Sequence, residues 1–104
     1  MRMLLKAQFP VEAGNAAAKT GKLAAILESI LAEQQPEAAY FFADHGKRTA
    51  LLVLDIQDAS QLPAYAEPWF LALNASVEVI PAFTAADLPK IGAAIEQAVK
   101  KYGG

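Results

Sequence analysis

The stretch from Glu37 to Ile56, EAAYFFADHGKRTALLVLDI, constrains the fold more than any other part of the chain. Two apolar runs flank the polar connector Asp44-His45-Gly46-Lys47-Arg48. Its aspartate can hydrogen-bond locally and its glycine can take positive φ, so the stretch reads as a β-hairpin. Each strand is apolar on both faces: Tyr40 and Phe42 oppose Ala39, Phe41 and Ala43, while Leu51 and Val53 oppose Ala50, Leu52, Leu54 and Ile56. An antiparallel sheet with one wet face alternates apolar and polar residues instead. Both faces of this sheet are therefore expected to be covered, one by helices and the other by a second sheet.

The flanking segments supply the helices and the remaining strands. Met3, Leu5, Ala7 and Phe9 alternate with Leu4, Lys6 and Gln8, a first strand ended by Pro10. Leu23, Ile26, Leu27, Ile30 and Leu31 fall on one side of a helix, predicted from about Ala16 to Gln34 with Asn15 as its cap and Pro36 beyond its end. Asp58 or Ser60 can cap a second helix reaching Leu73, within which Pro68 predicts a kink or a break. Asn74 to Phe83 reads as a fourth strand, with Pro81 pointing to an edge or a strand end. Thr84-Ala85-Ala86-Asp87 resembles a capping box, and Ile91, Ala94, Ile95, Ala98, Val99 and Tyr102 form the stripe of a last helix, released by Gly103 and Gly104.

Size and charge narrow the function. A chain of 104 residues is one domain, 1–104, with no room for a second core. A net charge of −2 gives no electrostatic footprint for nucleic acid, and no apolar span is long enough for a membrane. The opening Met1-Arg2-Met3-Leu4-Leu5 is interrupted by Lys6 and Gln8, too early for a signal-peptide core, so a cytoplasmic location is expected. Cysteine is absent, which removes thiolate chemistry. The hydrophobic fraction of 55% exceeds the roughly 45–50% usual for soluble domains, so apolar surface is expected to be left over for a subunit interface.

The order βαββαβ followed by a C-terminal helix is the ferredoxin-like split βαβ pattern, with predicted strand order 4-1-3-2 and the helices on one sheet face. The fold class is α+β. In this arrangement the chain resembles the dimeric α+β barrel superfamily, in which two such sheets pack face to face. Within it, Glu67-Pro68-Trp69-Phe70-Leu71 followed by Val77-Glu78-Val79-Ile80-Pro81 is similar to small bacterial families of uncharacterised function. The resemblance implies a homodimer. It implies no reaction, because the superfamily spans cofactor-free monooxygenases, isomerases, haem-handling enzymes and non-catalytic members, and none of their histidine motifs maps onto His45.

The residues with chemical potential are few. His45, the single histidine, is the residue type suited to proton transfer near neutrality, yet it sits in ordinary turn chemistry, where an Asp44–His45 couple is disfavoured because adjacent turn residues usually point apart. Trp69 and Tyr65, on the proline-containing helix, can line a pocket between helix and sheet, with Tyr40 offering a hydroxyl to it; the plain alternative is core packing for the first two and a cross-strand pair for the third. Lys6, Gln8 and Glu78 are predicted to share one sheet face, with a Lys6–Glu78 ion pair across neighbouring strands. Arg48 beside Lys47 can hold an anion, or simply be solvated. No cofactor motif or metal-ligand spacing is present, and no catalytic residue is assigned. The expected function is a homodimer binding a small apolar or aromatic molecule, conceivably with cofactor-independent oxygenase or isomerase chemistry. The alternative is a non-catalytic regulatory or assembly module whose apolar sheet face serves dimerisation alone.

Overall fold

In the computed structural model, which describes residues Met1–Gly104, the alternation of the first strand becomes a division of the sheet into two faces. Strand β1, Arg2–Gln8, buries Met3, Leu5 and Ala7 and leaves Leu4, Lys6 and Gln8 half-exposed. It lies between β3, Lys47–Asp55, and β4, Ser76–Pro81, both antiparallel to it; β2, Ala38–Asp44, pairs with β3 at the edge. The order β2-β3-β1-β4 is the predicted 4-1-3-2 read from the opposite edge. Pro81 ends β4, an edge strand, where its missing N–H costs the sheet little.

Three helices cover one face. Helices α1, Val11–Lys19, α2, Leu23–Gln34, and α3, Leu62–Leu73, enclose a single core of Met3, Leu5, Ala7, Phe9, Ile30, Ala50, Leu52, Leu54, Ile56, Trp69, Leu73 and Ala75. The fourth, α4, Leu88–Tyr102, buries no residue.

The helices depart from expectation in three places. The single helix predicted from Ala16 to Gln34 is two, and the first starts directly after Pro10. They part at Thr20-Gly21-Lys22, where Gly21 takes φ +72° and the Thr20 hydroxyl donates to the carbonyls of Ala16 and Ala17, ending α1 locally. Asn15 therefore lies inside α1 and accepts a hydrogen bond from Arg48 rather than capping a helix. Finally, α3 runs unbroken through Pro68. The proline deprives the Ala64 carbonyl of its donor, but Ala64 is exposed, so water can serve that oxygen.

Apart from Asn15, the capping signals hold, and of the two alternatives ahead of α3 it is Asp58 rather than Ser60 that caps. Asp58 accepts from the Ser60 N–H, and Gln61 completes a capping box on the short turn that leads into α3. Thr84 and Asp87 form the other box, ahead of α4. The hairpin turn places both His45, φ 52°, and Gly46, φ 76°, in the left-handed region, the form whose twist matches the flanking strands.

Candidate functional site

The registers assign every strand residue to a face. On the face turned away from α1–α3, one row across the sheet reads Tyr40, Leu51, Lys6, Glu78, and the next reads Phe42, Thr49, Gln8, Ser76. Toward the other end the row is Ala38, Val53, Leu4, Ile80. This bare face is thus apolar at one end and polar at the other.

The polar end is held together by one side chain. Lys6 does not pair with Glu78, its register neighbour; its ammonium spans β3 to reach the Asp44 carboxylate on β2 at 2.6 Å. The other carboxylate oxygen of Asp44 lies 3.1 Å from Nδ1 of His45, so the adjacent turn residues that were expected to point apart meet after all. Gln8 braces the group by donating to the Asp44 carbonyl at 3.0 Å and to the Thr49 hydroxyl at 3.2 Å. The hydrogen bond from Lys6 holds the Asp44 carboxyl below the usual carboxylate range, against a smaller opposing effect of desolvation; the same bond raises Lys6. Both groups are charged at neutral pH.

The sequence-predicted pocket residues do not converge. Trp69 is fully buried in the core, its indole N–H donating to Gln34 Oε1 at 3.4 Å, while the Gln34 amide donates to the Tyr65 carbonyl at 2.8 Å. Tyr65 packs partly buried against that core. Tyr40 is on the bare face, separated from both by the sheet, and His45 sits exposed at the hairpin tip. Trp69 and Tyr65 therefore share a packed interior, whereas Tyr40 and His45 belong to the opposite side with Lys6 and Asp44. Arg48 is tied to α1: it donates to Asn15 at 2.9 Å and covers Gly14, where a Cβ would come within 2.6 Å of its Nη1.

Asp44 is the residue the sequence does not single out, because Asp-x-Gly in a connector is ordinary turn usage. The strand order together with the two-residue turn supplies the signal, since the pair forms only once β3 lies between β2 and β1.

A separate groove of about 550 Å³ runs along the outer side of the helices, lined mainly by Ala25, Ile26, Ile30, Pro68, Leu71 and Ala72. It brings together none of the four predicted site residues.

No protein-family model and no curated protein matches the sequence. Among solved structures, a formyltetrahydrofolate deformylase from Pseudomonas putida KT2440 is similar, with a TM-score of 0.50, 16% identity, and coverage of 79% of this chain and 29% of that one. The chain spans less than a third of that protein's length. The likeness supports a ferredoxin-like α+β fold and carries nothing about activity. No helix is long and apolar enough to cross a membrane.

Proposed function

We propose that the chain is a small-molecule-binding homodimer whose ligand lies on the polar end of the bare sheet face, between two facing sheets. The observation that carries this reading is the Lys6–Asp44 ion pair with His45 at its rim, built on a face whose remaining residues are largely apolar. A small ligand with an aromatic or aliphatic body and one polar group matches that mixture. Tyr40 and Leu51 would meet the body, and Lys6, Gln8 and Asp44 the polar group.

Isomerase-like proton transfer is the catalytic form of this reading. Nδ1 of His45 lies 3.1 Å from the Asp44 carboxylate; with the ring proton held on that nitrogen, Nε2 would accept a proton from an acidic ligand carbon and return it at another, with no cofactor taking part. The second reading, a non-catalytic assembly module, is supported by the closed core around Trp69, which leaves no ligand space beneath the helices.

Thermal-shift and calorimetric titration with small aromatic acids and phenols tests the choice. Binding by the wild type that is weakened by at least about tenfold in Asp44→Asn and Lys6→Met, both folded, supports the ligand site. Binding that survives both substitutions sinks the proposed location. Ligand-carbon hydrogen exchange in D2O, abolished by His45→Gln, would establish the proton transfer; binding without exchange favours the non-catalytic form.

A further inference from the structure

Helix α4 has the sequence of a core helix and the environment of a surface one. Ile91, Ile95, Val99 and Tyr102 follow helical spacing, yet Ile95 is 57%, Val99 59% and Tyr102 79% exposed. The helix is nevertheless firmly begun, by the Thr84–Asp87 box, and its last turn carries Lys100 and Lys101, which suit the C-terminal end of the helix dipole. A formed amphipathic helix without a partner is a surface awaiting one.

The overall shape says how large that partner surface is. The radius of gyration is 17.5 Å and the long dimension 60 Å, against the radius of about 13 Å typical of a compact domain this long. The accessible surface is 6942 Å², where a compact monomer of this mass would expose about 5,700 Å². The excess of about 1,200 Å² is above the roughly 800 Å² that each partner gives to a standard protein interface, and far beyond what a small ligand covers.

The second unpartnered apolar surface lies on the opposite edge of the sheet. Strand β2 presents Tyr40, 59% exposed, and Phe42, 42% exposed, on the bare face, and Phe41 on the opposite one, along an edge whose backbone groups face outward unpaired. α4 follows β4, at the other edge. When two such sheets face each other about a twofold axis parallel to the strands, the β4 edge of one copy lies over the β2 edge of the other. The chain leaving β4 then arrives at the second copy's aromatic edge without crossing its own sheet.

We propose that α4 is an exchanged arm, each copy seating the stripe Ile91, Ile95, Val99 and Tyr102 along the β2 edge of a second copy, against Tyr40 and Phe42 on its bare face. This rests on the homodimer proposed above, and it names a contact that sheet-to-sheet packing alone would not make. In the assembly each arm would set out from the apolar end of the bare face, where β4 terminates beside Met3, and run along the second copy's β2 from there.

The absence of cysteine makes the test clean. Light scattering on the whole protein is expected to give a dimer; a monomer at high micromolar concentration overturns both the dimer and the arm. Phe42→Cys and Val99→Cys are then prepared as separate proteins, one with a longer tag, mixed and oxidised. A disulfide-linked hybrid of the two chains supports exchange. A dimer that yields no hybrid, or that yields one instead between Val99→Cys and Leu71→Cys in the outer groove, overturns the proposed seat while leaving the dimer standing. A double variant that closes its disulfide within one chain also overturns exchange, in favour of an arm folded back on its own sheet. Ile95→Asp, checked for folding by circular dichroism, is expected to weaken the dimer by at least about tenfold, since it places a charge in an apolar seat; an unchanged dissociation constant overturns the arm.

Discussion

The two faces of the sheet use the same strands and end in different states. On the covered face Leu5, Leu52 and Leu54 are sealed beneath three helices; on the bare face Leu4, Leu51 and Val53 remain half-exposed between Tyr40 and Ile80. Alternation alone does not separate them, since both sets are apolar. The covered face contains one polar arrangement, Trp69–Gln34–Tyr65, closed on itself, whereas the bare face contains an ion pair with its rim open to solvent. Interior polarity that is satisfied within the chain specifies packing. Polarity left at the margin of an uncovered apolar surface is available to a ligand or a partner.

The largest expected effects test this contrast directly. Trp69→Ala should lose about 3–5 kcal/mol of stability in urea denaturation, because it removes a fully buried indole and leaves a cavity. Tyr40→Ala should cost the isolated subunit less than about 1 kcal/mol while weakening self-association, since it deletes exposed surface. Equal losses at the two sites would break the distinction between the faces. Gln34→Ala should cost about 1–3 kcal/mol, leaving the Trp69 N–H and the Tyr65 carbonyl without their partner. Thr84→Ala should cost on the order of 1 kcal/mol if α4 is anchored in the folded state, and much less if α4 is independent of the body.

The smallest effect is in pH. Asp44, Asp58 and Asp87 are all held below the ordinary aspartate value of 3.8, the first by Lys6 and the others chiefly by the backbone N–H groups of Ser60 and Thr84. A depressed folded-state pKa stabilises the fold above the unfolded value and loses that contribution as pH falls through the folded one. Stability should therefore be level from pH 5 to neutrality and decline below about pH 4. Asp44→Asn should shorten that acid limb, read as a flatter dependence of the urea midpoint on pH. Lys6 is raised, so its contribution is complete below 10.5 and is lost only as pH rises through the higher folded value.

The strands, the hairpin and the Thr84–Asp87 box were legible because period-2 spacing and turn and cap chemistry are local, and the strand order because right-handed crossovers leave few alternatives; the Asp58–Gln61 box was legible only as a choice of cap between Asp58 and Ser60. The break at Gly21 is a local feature that the apolar stripe from Leu23 to Leu31 masks, because that stripe suits a helix whether or not the helix extends backward. Pro68 misled in the other direction: the exposure of Ala64, which lets the helix continue, is a property of the assembled fold. The site was legible in its parts and not in its combination. Lys6, Gln8 and His45 were each noticed, but Asp44 links them across strands whose adjacency is fixed only by the whole sheet. Trp69 and Tyr65 drew attention as large aromatics near a proline, and packing claimed both.

The central place of β1 bears on the order of events when the chain emerges during synthesis. Leu5 pairs with Leu52 on one side and Val79 on the other, whereas Tyr40 needs only Leu51, eleven residues along. Contacts near in sequence close early, and distant ones wait on loop closure. We expect the hairpin to acquire protected amides before β1 does, and β1 to stay open on one side until residues 76–81 have left the ribosome. Pulsed hydrogen exchange on arrested chains would read this directly: the even-numbered residues of β1 turn their backbone groups toward β4, so protection at the Lys6 amide in a chain stopped before residue 76 would show that the centre of the sheet does not wait for its last strand.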